Sequence, residues 1–380
     1  MKRIIVIGGG IGGLCTAIAL RKVGIDAVVY EQAEQLDEVG AGLTIWTNAV
    51  KALRSIGLAD EVINAGKKIR RGEVRTPKGT VLTRTPFQEL ERLFGEPSVA
   101  LHRADLHRVL LDALPSDSVR IGMKCVGFKQ DKDKITVSFS DGNREEADFL
   151  VGADGIHSVV REMLFPEISL RYSGYTVWRG VVNWENEIDL KTTSETLGRG
   201  SRFGIVPIGG KRIYWYATAN TPAGQKQTPA ERKKYLLAQF KDWHQPIERL
   251  IESTPEKSIL HNDIFDIAPL KCWHNNRVVL LGDAAHPTTP NLGQGACLAI
   301  ESAVVLARCL SQTDDWAAAL RRYEIERMPR TAWINEQSWR TGKIGQLEGR
   351  LSCTLRNFIL RATPHFIMRK PLEKAVGFQI

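Results

Sequence analysis

Residues Arg3–Glu31 read RIIVIGGGIGGLCTAIALRKVGIDAVVYE, and this stretch decides the fold. Arg3–Ile7 is a short β-branched run of the kind buried on both faces of a parallel sheet. It leads into Gly8-Gly9-Gly10-Ile11-Gly12-Gly13, which fits G-x-G-x-x-G at Gly8, Gly10 and Gly13. Leu14–Val23 follows at helical spacing, and a second strand, Asp26–Tyr30, ends in Glu31. Each residue type has a physical task. Gly8 permits a tight strand-to-helix turn. Gly10 lacks a Cβ, so a pyrophosphate can approach the backbone, and Gly13 lets helix and strand pack closely. The helix N-terminus, about Ile11, offers free N–H groups to phosphate charge. Glu31, eighteen residues after Gly13, can accept hydrogen bonds from ribose hydroxyls. The complete strand–turn–helix–strand–acid unit predicts dinucleotide binding, without choosing between NAD and FAD.

Outward from this unit, the composition is that of a globular protein of two or three domains: 380 residues, 43% hydrophobic and 25% charged. The apolar runs are too short for a membrane span, and the basic start leads directly into the first strand, so a cytoplasmic location is expected. Six cysteines without a CxxC pair read as reduced thiols, not as a disulfide frame or metal site. The net charge of +9 is not gathered into a block, and no nucleic-acid motif accompanies it, so no nucleic-acid partner is expected. Thr341–Ile380 carries seven Lys/Arg against two Asp/Glu. Within it Leu351–Met368 has helical spacing, read as a helix packed across the body, with weak membrane-surface contact as the alternative.

Two later segments repeat the strand-to-ligand logic. Asp148–Arg161 reads DFLVGADGIHSVVR, in which a strand, Phe149–Val151, delivers Asp154 and a helix starts near His157 and Ser158. Arg277–Pro287 reads RVVLLGDAAHP, in which Val278–Leu281 delivers Asp283, and Pro290-Asn291-Leu292-Gly293-Gln294-Gly295 opens a helix running to Leu310. Acids at the C-terminal ends of buried strands sit where ligands bind in open α/β sheets. As alternatives, Asp154 and His157 read as helix caps and His286 as a satisfied loop histidine.

With these three motifs in this order, nearly the whole chain resembles the single-component, class A flavoprotein monooxygenases, a family that includes urate and 3-hydroxybenzoate hydroxylases and zeaxanthin epoxidases. The resemblance implies a Rossmann-like, glutathione-reductase-type FAD domain with a parallel sheet, an inserted, mostly antiparallel substrate domain, and C-terminal helices. The FAD domain would be discontinuous, at 1–70, 100–170 and 270–330. The substrate domain would span 71–99 and 171–269, and residues 331–380 would be helical. FAD is the implied cofactor, NAD(P)H the co-substrate, and O2, activated at the flavin C4a, the oxygen source.

The resemblance also assigns residues. Asp283 would bind a ribityl hydroxyl, while Leu292, Gly293 and Gly295 would line the flavin ring, with the helix end near N1–C2=O. Arg103 would contact the ribityl–phosphate side and Val126 the adenine. Val39–Trp46 resembles the loop beside the flavin, where Gly40 and Gly42 allow close approach. No second G-x-G-x-x-G exists, so nicotinamide would bind transiently near Asp154.

The middle of the chain bears on substrate. Tyr175–Trp184, Ser201–Ile208 and Arg212–Ala219 are rich in aromatic and β-branched residues, with Gly209-Gly210-Lys211 as a hairpin turn. Arg202 and Tyr214 match the substrate-orienting pair of the family's urate hydroxylases: an Arg can hold an anionic oxygen and a Tyr can donate a hydrogen bond. Alternatively, Arg202 packs over an aromatic face, and Tyr216 and Trp178 are core or pocket walls. The function expected is hydroxylation of a small aromatic or heteroaromatic substrate by a monomer or homodimer. Alternatives are attack on an isoprenoid or polycyclic substrate, a reductase that transfers no oxygen, and a non-enzymatic FAD-binding protein. No metal-ligand pattern is present.

Overall fold

The computed structural model describes residues 3–35, 41–185 and 189–379. Its centre is a six-stranded sheet in the order His274–Asn275, Val278–Leu280, Phe149–Gly152, Arg3–Ile7, Asp26–Tyr30 and Val119–Arg120. All pairs are parallel except the edge His274–Asn275, as the doubly wound class requires. Ile4, Ile5 and Val6 are fully buried between the sheet's two faces. One layer of cover is the helix Ile11–Lys22, packed against a second helix, Gly295–Ser311. Close packing is enforced at Gly12, whose Cβ would lie 3.0 Å from Leu281.

A seven-stranded sheet forms the other half, in the order Leu260–Asp266, Arg171–Asn183, Arg212–Asn220, Ser201–Ile208, Thr192–Leu197, Arg71–Arg75 and Val81–Pro86. Every pair is antiparallel except Thr192–Leu197 with Arg71–Arg75. Strand alternation sorts its side chains. Trp178, Phe203, Ile205, Ile213 and Trp215 face the helices Pro229–Gln239 and Ile247–Ser253 and form a separate core. Trp178 is therefore core rather than pocket wall, stacked on His261 and donating its indole N–H to Gln227. The opposite face presents Val206, Ile208, Tyr214 and Tyr216 toward Leu298 of the first half.

Two three-stranded antiparallel sheets were not anticipated. Cys125–Gln130, Ile135–Phe139 and Arg144–Ala147 form one; Gly42–Ile45, Val99–His102 and Lys67–Lys68 form the other. A long helix runs from Trp316 to Gly345. Glu301, fully buried, joins it to the rest of the fold, paired with Arg327 at 2.7 Å and Arg330 at 2.7 Å and accepting from Asn48 at 2.6 Å. Burial opposes the charge of Glu301, but the two guanidinium groups overcome it and hold the carboxyl below its usual range.

The C-terminal segment departs from expectation. The single helix Leu351–Met368 is two, Arg350–Ala362 and His365–Val376, broken at Thr363 and Pro364 because the residue before a proline is driven out of helical geometry. The first of the two turns its large apolar residues outward, not onto the body. Among the described residues no helix is long and apolar enough to cross a membrane.

Candidate active site

Three strand tips meet at the C-terminal edge of the parallel sheet. Gly8 has φ +104°, and a Cβ there would lie 2.9 Å from the Asp154 Cα, so the tips of Arg3–Ile7 and Phe149–Gly152 touch. Beside them the Gly10 backbone is bare, with nothing within 4 Å of its Cβ position. Ile11 and Gly13 open the helix, and a Cβ on Gly13 would overlap the Gly8 carbonyl oxygen.

Arg161 ties the second tip to the third. Only 6% exposed, it donates to the carbonyls of Asp283 at 3.3 Å and Ala284 at 3.1 Å, and also to that of Ile156. Ser158 caps the helix Val159–Leu164 by accepting from Arg161 N–H, and Asp154 accepts from Ser158 Oγ at 2.5 Å and Val160 N–H at 3.2 Å. The cap expected of His157 is thus made by Ser158, and His157 is exposed. Asp283 lies open on the crevice wall, yet burial raises its carboxyl above the ordinary value against the pull of Arg103 and Arg161.

Glu31 turns back on the glycine loop. Its Oε2 accepts from Gly9 N–H at 2.6 Å and its Oε1 from Ala33 N–H at 2.9 Å. The Gly9 carbonyl contacts His107 Nε2 at 2.7 Å, a tie the sequence did not show. Val126 is 52% exposed on a strand whose approach is fixed by Met123 N–H donating to the Glu31 carbonyl. Arg103 begins the helix Arg103–Asp112, with an exposed side chain and its N–H donated to Ala41. Val39 and Gly40 lie outside the described residues.

On the far side, Pro290–Leu292 makes one tight turn, Gly293 follows at φ +62°, and Gly295 starts the long helix. A Cβ on Gly293 would stand 3.1 Å from Trp46 Nε1. Gln294 accepts from Asn48 at 3.0 Å. Buried here without a partner among the described residues are Trp46 Nε1, Asn48 Oδ1 and Gln294 Nε2.

Above this loop lies the seven-stranded sheet. Tyr214 packs so closely on Gly42 that a Cβ there would overlap its ring, and burial pushes the phenol up to about 12. Arg202 is 3% exposed, and each of its three nitrogens donates to a protein group. It donates from Nε to Gln346 at 2.9 Å and Thr218 at 3.3 Å, from Nη1 to Glu195 at 3.2 Å and from Nη2 to Asn291 at 2.7 Å. Its guanidinium lies 5.4 Å from the Tyr175 ring centroid, the aromatic packing that was the alternative reading. Tyr216 donates to Glu195 at 3.0 Å.

Residues 1–338 match the family model described as FAD binding domain. This chain belongs to that family. The aurachin C monooxygenase/isomerase of Stigmatella aurantiaca is 43% identical over 358 residues, 94% of this chain and 93% of the relative. The 2-heptyl-3-hydroxy-4(1H)-quinolone synthase of Pseudomonas aeruginosa is 35% identical over 377 residues, covering 97% and 96%. Among solved structures, Klebsiella pneumoniae HpxO complexed with FAD and uric acid superposes with TM-score 0.92 at 32% identity, over 99% of this chain and 96% of that one. The chain is an FAD-dependent monooxygenase of the aromatic-hydroxylase type.

The residues present fit FAD. A bare glycine backbone at a helix N-terminus suits a pyrophosphate. The orphaned polar atoms beside Gly293 are of the kind that edge groups of a flavin satisfy. Sequence reasoning left Arg161 without a role although it closes the quoted motif, since its three acceptors are backbone carbonyls that no side-chain pattern announces. His286 is buried, its Nε2 3.1 Å from Ser302 Oγ and its Nδ1 unpartnered among the described residues; burial pushes its pKa down to about 3, so the ring is neutral.

Proposed function

We propose that this monooxygenase hydroxylates a fused, electron-rich nitrogen heteroaromatic that carries an apolar substituent, a 4-quinolone-like substrate, using NAD(P)H and O2. One observation carries the reading: the sheet face over the cofactor loop is apolar and its buried cation is engaged. Val181, Val206, Ile208 and Tyr214 lie together with Trp46 and Leu292. Arg202, the group suited to an anionic substrate, already donates from every nitrogen to the protein, Nε to Gln346 and Thr218, Nη1 to Glu195 and Nη2 to Asn291. An apolar wall favours a substrate with apolar surface to bury. The naming of a relative as a 2-heptyl-3-hydroxy-4(1H)-quinolone synthase supports the same class.

Bound FAD supplies the hydride-accepting and O2-activating chemistry. Asp283, Arg103, Gly10 and the Gly293–Gly295 turn are its proposed holders, with Glu31 and Val126 at the adenosine end. Tyr214 remains protonated through neutral pH, so its phenol is available to donate a hydrogen bond to the exocyclic 4-carbonyl oxygen of the substrate. Arg202 acts through Asn291 and Gln346, fixing the Pro290–Leu292 turn, and is a positioning residue.

The test is NAD(P)H oxidation by the purified enzyme with 2-alkyl-4-quinolones, uric acid or 3-hydroxybenzoate, and mass spectrometry of products formed under isotopically labelled O2. The quinolone should stimulate turnover most and gain one labelled oxygen. Preference for uric acid overturns the substrate class, and product without labelled oxygen overturns hydroxylation. Tyr214→Phe should lower kcat/KM by about tenfold with FAD content unchanged, the loss of one hydrogen bond worth ~1.4 kcal/mol.

A further inference from the structure

We propose that the outer face of the helix Arg350–Ala362 docks on an anionic phospholipid surface. The helix is packed inside out. Its buried side holds Cys353, 6% exposed, and Arg356, 4% exposed. Arg356 is held there by donating from Nη2 to the Gly198 carbonyl at 2.9 Å and from Nη1 to the Gly345 carbonyl at 3.1 Å. Its outer side presents Leu351 at 86%, Leu355 at 59%, Phe358 at 68% and Ile359 at 51% exposure. These positions fall at i, i+4, i+7 and i+8, one continuous stripe of a helix. Ile344, 52% exposed at the end of the preceding helix, adds to the exposed apolar surface. An arginine turned inward to carbonyl acceptors leaves no alternative rotation that would hide the stripe. A contiguous apolar stripe in water marks an interaction surface.

Charge identifies the occupant. Arg350 and Arg361 lie on the same helix, exposed and without an acidic partner among the described residues, and Lys343 and Lys370 are exposed in the flanking helices. Of the two acids of residues 341–380, Glu373 pairs with Arg369 at 2.5 Å, and Glu348 accepts from the neutral amide of Asn220 at 2.5 Å, leaving a clear surplus of positive charge on this segment. A second copy docked by this same face would therefore set the basic surplus against itself, with only Glu348 to offset it. Phospholipid headgroups provide that counter-charge, and the acyl boundary takes the stripe. The helix has 13 residues and lies on the surface rather than crossing it. This inference does not depend on the substrate proposed above.

The experiment is flotation of the full-length, FAD-loaded protein with phosphatidylcholine vesicles and with phosphatidylcholine–phosphatidylglycerol vesicles. Wild type should float with the mixed vesicles, and added salt should release it. Leu351→Ser with Phe358→Ser should reduce partitioning about tenfold or more. Arg350→Glu with Arg361→Glu should remove the preference for anionic lipid. Ile325→Ser, which alters a 74% exposed side chain on the long helix, should float as wild type. FAD content and NAD(P)H oxidation in detergent-free buffer should be the same for all. Wild type that stays unbound, flotation unaltered by the apolar pair, or equal binding to both vesicle types overturns the proposal. So does a dimer in sedimentation that Leu351→Ser with Phe358→Ser dissociates, which would assign the stripe to self-association.

Discussion

Gly10→Ala should uncouple cofactor affinity from folding, whereas Gly8→Ala and Gly13→Ala should damage the fold itself. Gly10 has φ −73°, a value open to any L residue, and its added Cβ meets no atom within 4 Å. The apo protein should keep its Tm or raise it slightly, since a less flexible unfolded chain adds about 0.4–1 kcal/mol of stability. A pyrophosphate lying against that bare backbone would be displaced by the methyl. Losing about two charge-assisted hydrogen bonds at ~1.5 kcal/mol each weakens FAD binding by ~3 kcal/mol, roughly 100-fold in Kd. Gly8 differs because φ +104° strains any side chain and its Cβ would sit 2.7 Å from the Ala153 carbonyl carbon. A Gly13 Cβ would overlap the Gly8 carbonyl oxygen, and relieving that overlap moves helix from strand at a cost of about 1–3 kcal/mol or more. The assay pairs thermal denaturation of FAD-stripped protein with equilibrium titration by FAD. An FAD affinity for Gly10→Ala within threefold of wild type, or an apo Tm as depressed as that of Gly13→Ala, refutes the placement of the pyrophosphate.

Arg161→Met should weaken FAD binding by roughly 30-fold or more, since three carbonyls lose a charged donor worth about 1.5–3 kcal/mol per bond, part of it felt in folding. Because Arg161 also pulls the Asp283 carboxyl down, FAD affinity of the variant should fall more steeply with acidification than that of wild type; parallel pH profiles in FAD titrations would count against the clamp. His286 gives a stability signature. Its folded pKa of about 3 lies below the ordinary 6.5, so the unfolded chain binds the extra proton and stability is lost as pH falls through that window. The slope from this group is at most ~1.4 kcal/mol per pH unit, and His286→Gln should remove it from urea-denaturation midpoints.

The glycine loop, the acids Asp154 and Asp283 and the two sheet types were legible because each is written in local pattern: a strand period, a turn residue, a helix start. The adjacency of Asp154 and Asp283 followed from parallel-sheet order, which places Phe149–Gly152 between Arg3–Ile7 and Val278–Leu280. What stayed hidden is set by distant partners. Arg202 meets groups from positions 195, 218, 291 and 346, and no spacing within Ser201–Ile208 foretells that each of its nitrogens finds an acceptor within the chain. Lys67–Lys68 and Val119–Arg120 are strands of two residues, too short to show a period. Helical spacing in Leu351–Met368 gave a helix but not its orientation, which depends on whether Arg356 finds carbonyl acceptors at Gly198 and Gly345.

The arginines correct the simplest use of net charge. A surplus of +9 suggests a field for anionic partners, yet Arg161, Arg202, Arg327 and Arg356 are 6%, 3%, 0% and 4% exposed. Each is anchored by oxygen acceptors: carbonyls for Arg161 and Arg356, Glu301 for Arg327, and Glu195, Asn291 and Gln346 for Arg202. A guanidinium offers five donors in a planar fork, so one side chain can hold several oxygens from separate segments, which a lysine cannot do in the same geometry. In this chain that capacity cross-links the loops around the cofactor site and seats the C-terminal helix. An arginine in a conspicuous motif is therefore weak grounds for an anionic substrate until its acceptors are counted. Counting them is what moves Arg202 to a positioning role and Tyr214 to the substrate side in the function proposed above, and what singles out Arg350 and Arg361, which have no acidic partner among the described residues, for the proposed lipid contact.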